Sequence, residues 1–144
     1  MPEFRVRIVD LPSRPVCVVP HVGPVEAIDE TRRPLYRHMI IHELVGGPSI
    51  IRFLPVPDGD HVVDALVVTH LGFDGDEVCR IEHLASGKYA VADYEGPTDG
   101  LALARQRLRE WLKAHKKPSG PILQVHLMDP IDDIVEEQLQ VHLP

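Results

Sequence analysis

The stretch KYAVADYEGPTDGLALARQRLREWL, residues 88–112, decides the fold. It reads as a strand, a tight Gly96-Pro97 corner and an amphipathic helix. Residues 15–39, PVCVVPHVGPVEAIDETRRPLYRHM, read the same way 73 residues earlier. At that offset Arg7 matches Arg80, Leu11 matches Leu84 and Val18 matches Val91 before the corner. Pro24/Pro97, Arg32/Arg105, Leu35/Leu108 and His42/His115 follow it, then Gly47-Pro48/Gly120-Pro121 and Pro57/Pro130. Val62/Val135 and Leu66/Leu139 carry the match toward the C-terminus. An internal duplication is recognised before any single element, because both halves must share one plan.

Working outward, residues 3–11 alternate: Phe4, Val6 and Ile8 share one face and Arg5 and Arg7 the other, as a half-buried strand requires. Residues 16–21 form a second short strand between Pro15 and Pro20. The first helix spans about residues 25–44, with Ile28, Leu35, Met39 and His42 as its apolar stripe. Pro34 has no amide to donate to Glu30, so the helix is expected to bend or to begin late near residues 30–34. Gly46-Gly47-Pro48 is expected to end it. Strands at 49–56 and 61–71 flank a turn at 57–60, and residues 72–77 (GFDGDE) form a linker. The second copy repeats this with strands at 79–83 and 89–94 and a helix at 98–115, whose inner face carries Leu101, Ala104, Leu108, Trp111, Leu112 and His115. Strands at 122–128 and 133–143 close it around a turn at Asp129-Pro130. The expected fold is α+β: tandem antiparallel β–α–β–β units with pseudo-twofold symmetry, helices on one side of a curved sheet and a cleft between the copies. One domain is expected over residues 1–144, with repeat 1 at about 3–71 and repeat 2 at about 76–144.

Composition bounds the function. A chain of 144 residues, 44% hydrophobic and 26% charged, can bury a proper core. Its net charge of −7 argues against non-specific nucleic-acid binding, which needs a basic surface. Lys113, Lys116 and Lys117 suit the C-terminal end of a helix dipole instead. No run approaches the ~20 apolar residues of a membrane helix, and no signal peptide is evident. Cys17 and Cys79 are too few for a disulfide framework, so a reduced cytoplasmic setting is expected.

Sites of common chemistry are not supported. No serine lies in a nucleophile elbow, and no glycine-rich phosphate loop precedes a helix. His38 and His42 have the i, i+4 spacing of metal ligands, but packed or half-exposed histidines fit the helix better, and no metal or cofactor is expected. In residues 122–128, Leu123, Val125 and Leu127 are expected to point into the core under the helix. Gln124 and His126 take the other face, joined by Ile51, Phe53 and Pro55 of the first copy. A mostly apolar face with a few polar groups suits a small-molecule pocket.

The pattern strand, His21-Val22-Gly23-Pro24 or Tyr94-Glu95-Gly96-Pro97, helix ending Trp111-Leu112, strand, Asp129-Pro130, strand resembles the GyrI-like domain over nearly the whole chain. That resemblance implies the effector-binding domain of AraC-type and MerR-type multidrug regulators, or a stand-alone gyrase-inhibitor-like protein, with bulky amphipathic ligands held in a central cleft. Family members commonly carry a Tyr after Gly-Pro, where this chain has Val25 and Thr98. They also carry a Glu and a Tyr where it has Gln124 and His126. The Glu meets cationic ligands and serves hydrolytic members, so its replacement by Gln124 weighs against both roles. The expected function is a stand-alone domain that senses or sequesters an apolar or amphipathic ligand through Phe53, Gln124, His126, Tyr94, His21, Trp111 and Ile51. It would be linked to transcription regulation or to drug or toxin resistance. The alternatives are hydrolysis of cyclopropane-type genotoxins with His126 as general base, and a protein-interaction module acting on a regulator or gyrase.

Overall fold

The computed structural model describes residues 4–56 and 59–144. β1 (Val6–Leu11) and β2 (Arg14–Pro20) lead through a 3-10 turn (Val25–Ala27) into α1 (Ile28–Ile41), and β3 (Val45–Val56) and β4 (Gly59–Thr69) complete the first copy. β5 (Arg80–Leu84), β6 (Gly87–Pro97), a 3-10 turn (Thr98–Gly100), α2 (Leu101–Ala114), β7 (Ile122–Ile131) and β8 (Ile134–Leu143) repeat that order. Both ends of α2 lie 73 residues beyond the matching ends of α1.

The eight strands form one antiparallel sheet, ordered β1-β6-β8-β7-β3-β4-β2-β5. Exchanging the copies reverses this order without changing it, which is the pseudo-twofold. Each copy lends its first strand to the other: Arg7 stands opposite Val91, and Arg80 opposite Val18. The halves meet at β3 and β7, where Ile51 stands opposite Gln124. The offset of 73 does not persist to the C-terminus. Ile51 pairs with Ala65 and Gln124 with Leu139, so β4 and β8 correspond at 74. Leu66 is therefore the counterpart of Gln140, not of Leu139 as expected. A one-residue slip sends a side chain to the opposite face of a strand, and Leu66 and Leu139 do lie in different core clusters.

Those clusters occupy the two faces of the sheet. On the helix side, Leu35 and Met39 of α1 and Leu108 and Leu112 of α2 pack on Cys17, Ile51, Phe53, Ala65, Ile122 and Leu139. The far side is built from strands alone, including Val16, Val18, Ile50, Leu66, Tyr89, Val91, Leu123 and Val125. The sequence reading had these faces inverted: Leu123 and Val125 lie away from the helices, and Leu127 is half exposed. Both faces of a curled sheet are apolar, so alternation separates them without saying which one meets the helices. β1 follows the same logic. Phe4 and Val6 pack on the helix-side core, Val9 and Leu11 on the far core, and Ile8 is exposed.

The helix ends repeat in detail. His42 and His115 cap them with the same dihedrals, φ −97° and ψ 10°. Glu43 (φ 55°) and Lys116 (φ 56°) follow in the left-handed region. The Leu44 amide donates to the Met39 carbonyl and the Lys117 amide to that of Leu112, both at 2.8 Å, the backbone pattern that usually recruits glycine. Gly46-Gly47-Pro48 does not end α1 but lies in β3. There a Cβ on Gly46 would come within 2.7 Å of the Thr69 backbone, and the ladder to β4 shifts between Val45 and Ser49. Those glycines serve a bulge. Pro34 sits inside a continuous α1, whose start at Ile28 is matched in α2, where Arg107 replaces the proline. The late start therefore belongs to the fold and not to Pro34. His42 and His115 are exposed rather than on the apolar stripes. The β7–β8 turn is Asp132-Asp133, both at positive φ, as a two-residue hairpin requires, and not Asp129-Pro130. Pro57-Asp58 of the first turn lies outside the described residues.

The linker is anchored by Asp76. Its carboxylate accepts the Val78 and Cys79 amides and pairs with His38 of α1 at 2.7 Å. Cys17 and Cys79 are free and buried, and burial first of all pushes the Cys79 thiol up to about 12.

Candidate ligand-binding cleft

The duplicated Gly-Pro corners bring the starts of both helices to the symmetry axis. Each corner is clamped by the residue two positions before its glycine. Tyr94 donates to the Pro97 carbonyl, and a Cβ on Gly100 would fall 2.2 Å from the phenol oxygen, so a larger residue there would push the phenol off its place. Its counterpart His21 does the same work with a ring. Nε2 donates to the Pro24 carbonyl at 2.9 Å, and Nδ1 is left to accept from the Thr31 hydroxyl at 2.7 Å.

Between the corners lies a cleft of about 830 Å3. Val25, Glu26, Ile28 and Asp29 form one wall, and Thr98, Asp99, Leu101 and Ala102 the other. The floor holds Ile51, Phe53, Gln124, His126, Val135 and Glu137. Four sequence-predicted residues thus meet here: Ile51, Phe53, Gln124 and His126. Three do not. Tyr94 and His21 hold the corners, and Trp111 stacks on His115 at 4.0 Å, one helical turn along α2. The His38 and His42 rings lie 4.5 Å apart, and no metal-holding cluster exists among the described residues.

A buried polar chain crosses the floor. The Arg105 guanidinium lies 4.0 Å over the Phe53 ring and donates from Nη1 to Gln124 Oε1 at 2.7 Å. Gln124 Nε2 donates to Glu137 Oε1 at 3.4 Å, and Glu137 Oε2 meets His126 Nδ1 at 2.8 Å. Arg105, Gln124 and Glu137 are each at most 6% exposed. Burial pushes the Glu137 carboxyl up; His126, Gln124 and the field of Arg32 pull it back. A buried carboxylate therefore does reach the cleft, although position 124 is neutral. The carboxylate that Gln124 does not supply comes from the neighbouring strand.

Arg105 and Glu137 were missed by the sequence reading, yet both carry a signal. Arg105 follows Leu101 by four residues on the apolar face of α2. Glu137 shares its strand face with Val135 and Leu139. A charge on an apolar register is rarely buried without a partner, so each predicts a buried polar partner nearby, which Gln124 supplies to both.

Residues 4–142 match the family described as the GyrI-like small molecule binding domain. Among solved structures, the C-terminal domain of EcmrR shares the fold with a TM-score of 0.76 at 11% identity, over 98% of both chains. SAV2435 bound to tetraphenylphosphonium gives a TM-score of 0.59 at 14% identity, over 97% of this chain and 94% of that one. A hydrolase from Listeria innocua gives 0.62 at 10%, over 94% and 90%. No curated protein matches the sequence.

Proposed function

The chain belongs to the GyrI-like small-molecule-binding family, and on that premise we propose that it senses or sequesters an apolar or amphipathic molecule in the cleft between its copies. The observation that carries this reading is the floor. Phe53 and Ile51 offer apolar contact beside a polar chain whose four members are mutually satisfied. Apolar contact surface with a few fixed polar groups is what a small-molecule site needs.

The charge balance of that chain sets the ligand class. One guanidinium and one carboxylate cancel when His126 is neutral, and a protonated His126 leaves the floor positive. At the floor, neutral or weakly anionic groups are therefore favoured over cations such as the tetraphenylphosphonium bound by SAV2435, while on the walls Glu26, Asp29 and Asp99 stand with Arg32 and Arg33. A role in transcription regulation or in drug resistance follows if ligand binding is read by a partner protein. A thermal-shift panel of cationic, neutral and anionic amphiphiles tests the reading. Stabilisation by neutral members that disappears in Ala102→Trp, which fills the cleft from an exposed helix position, supports it. An unresponsive wild type counts against it.

One observation favours a second reading, hydrolysis. His126 and Glu137 form a base-and-orienter pair facing the cleft. In that case His126 would activate water and Glu137 would fix its ring. Incubation with a cyclopropane-bearing electrophile and product analysis of wild type and His126→Asn decides between binding and turnover.

A further inference from the structure

A second hollow adjoins the cleft, meeting it at Arg32, Arg33 and His126, and runs between the outer face of α1 and the ends of β3 and β7, with a volume of about 900 Å3. Tyr36, Ile40 and Ile41 form its helix wall, and Leu127 and Met128 its strand wall. These are among the more exposed large apolar residues of the chain, Ile41 at 68% and Ile40 at 54%. Arg33 and Arg37 stand along the same wall. Arg33 shares Asp29 with Arg32 at 3.8 Å, and Arg37 is in no ion pair among the described residues. On the β3 side, the Ser49 hydroxyl is buried without a hydrogen-bond partner among the described residues.

The duplication supplies an internal control. At the offset of 73, α2 places Arg109, Lys113 and Ala114 where α1 has Tyr36, Ile40 and Ile41. It places Gln106 and Glu110 where α1 has Arg33 and Arg37. The same fold is thus built with a polar, mixed-charge outer helix face. Neither the apolar wall nor its cationic rim is a requirement of packing, and a contiguous exposed apolar surface of this kind marks a contact site.

We infer that this groove is a second ligand site, for a single-chain amphipathic carboxylate. The carboxylate would sit at Arg37 and Arg33, where a guanidinium fork matches its geometry, and the alkyl chain along Ile40, Ile41, Leu127 and Met128. A local cationic rim on a protein of net charge −7 argues for an anionic head, and the exposed apolar wall of Ile40, Ile41, Leu127 and Met128 for an alkyl tail. The inference rests on Arg37, Ile40, Ile41, Leu127 and Met128, which the cleft does not share, and in that part of the groove it stands apart from the reading of the cleft.

The test is calorimetric titration of the full chain with decanoate, decanol and decyltrimethylammonium, each below its micelle concentration. Decanoate should bind best. Arg37→Glu should weaken it about tenfold, the worth of one charge-assisted hydrogen bond, and Ile40→Asp should abolish it. Both positions are exposed, so unchanged circular-dichroism melts keep the result interpretable. Ala102→Trp in the cleft should leave decanoate binding intact, and Arg37→Glu should leave a cleft ligand unaffected. Equal binding of decyltrimethylammonium, or decanoate affinity indifferent to both groove variants, overturns the proposal. So does a self-association that Ile40→Asp abolishes, because the groove would then cover a second copy of the chain.

Discussion

Ile51 and Gln124 stand opposite one another in the β3–β7 ladder, 73 residues apart, at the point where the two copies meet. One copy places an apolar side chain on the axis and the other a buried amide. The amide joins Arg105 to Glu137. The asymmetry of the cleft therefore begins at its centre, at positions that the duplication makes equivalent.

Gln124→Leu should restore the apolar symmetry and destabilise the protein. It deprives the Arg105 guanidinium and the Glu137 carboxyl of a buried partner, a loss of about 1–3 kcal/mol. Urea unfolding of wild type and variant measures it. An unchanged midpoint would mean that the chain across the floor contributes nothing to stability.

Glu137 should make stability depend on pH in a direction opposite to an ordinary ion-paired acid. Its folded carboxyl titrates above the usual 4.5 because of burial. Below that value both states are protonated and ionisation adds no penalty; as pH rises through the window above 4.5, the unfolded chain releases its proton first and the folded state loses ground. Glu137→Gln should therefore gain stability relative to wild type as pH rises from 4.5. Parallel thermal melts across that window check the sign.

Asp76 should behave the other way. Its hydrogen bond with His38 above all, then the Val78 amide, holds its carboxyl down at about 2. The stabilisation is present above the ordinary 3.8 and is lost as pH falls toward about 2. The difference between wild type and Asp76→Asn should be greatest above pH 3.8 and close on acidification. A difference independent of pH would remove the linker anchor from the account.

The two left-handed helix ends offer a matched pair of substitutions. Glu43→Gly and Lys116→Gly should each stabilise by roughly 0.5–1 kcal/mol, because a side chain disfavours positive φ. The effects should add, since the sites belong to different copies. Melting temperatures of the singles and the double variant provide the check.

The duplication was legible because the Gly-Pro corners and helix stripes recur at a fixed spacing, and both helices fall where that spacing puts them. The last strands were misaligned by one residue. Val62/Val135 and Leu66/Leu139 are apolar pairs at 73, and the bulges that shift the ladder leave no mark in a single sequence. Ile51, Phe53, Gln124 and His126 were placed together by alternation, though on the face opposite to the one expected. Tyr94 and His21 were expected among the ligand contacts. Their hydrogen bonds to Pro97 and Pro24 show that the corner itself consumes them.

The central claim is that the cleft floored by Phe53, Gln124 and Glu137 is the ligand site. Titration of neutral triphenylphosphine oxide and cationic tetraphenylphosphonium against wild type, Ala102→Trp and Gln124→Glu tests it most directly. The oxide should bind wild type more tightly than the cation, and Ala102→Trp should eliminate its binding. Gln124→Glu should raise the affinity for the cation at least about tenfold, since a carboxylate contact at low dielectric exceeds ~1.4 kcal/mol. Tight binding of the cation to wild type, unchanged in both variants, would contradict the account and place the site elsewhere.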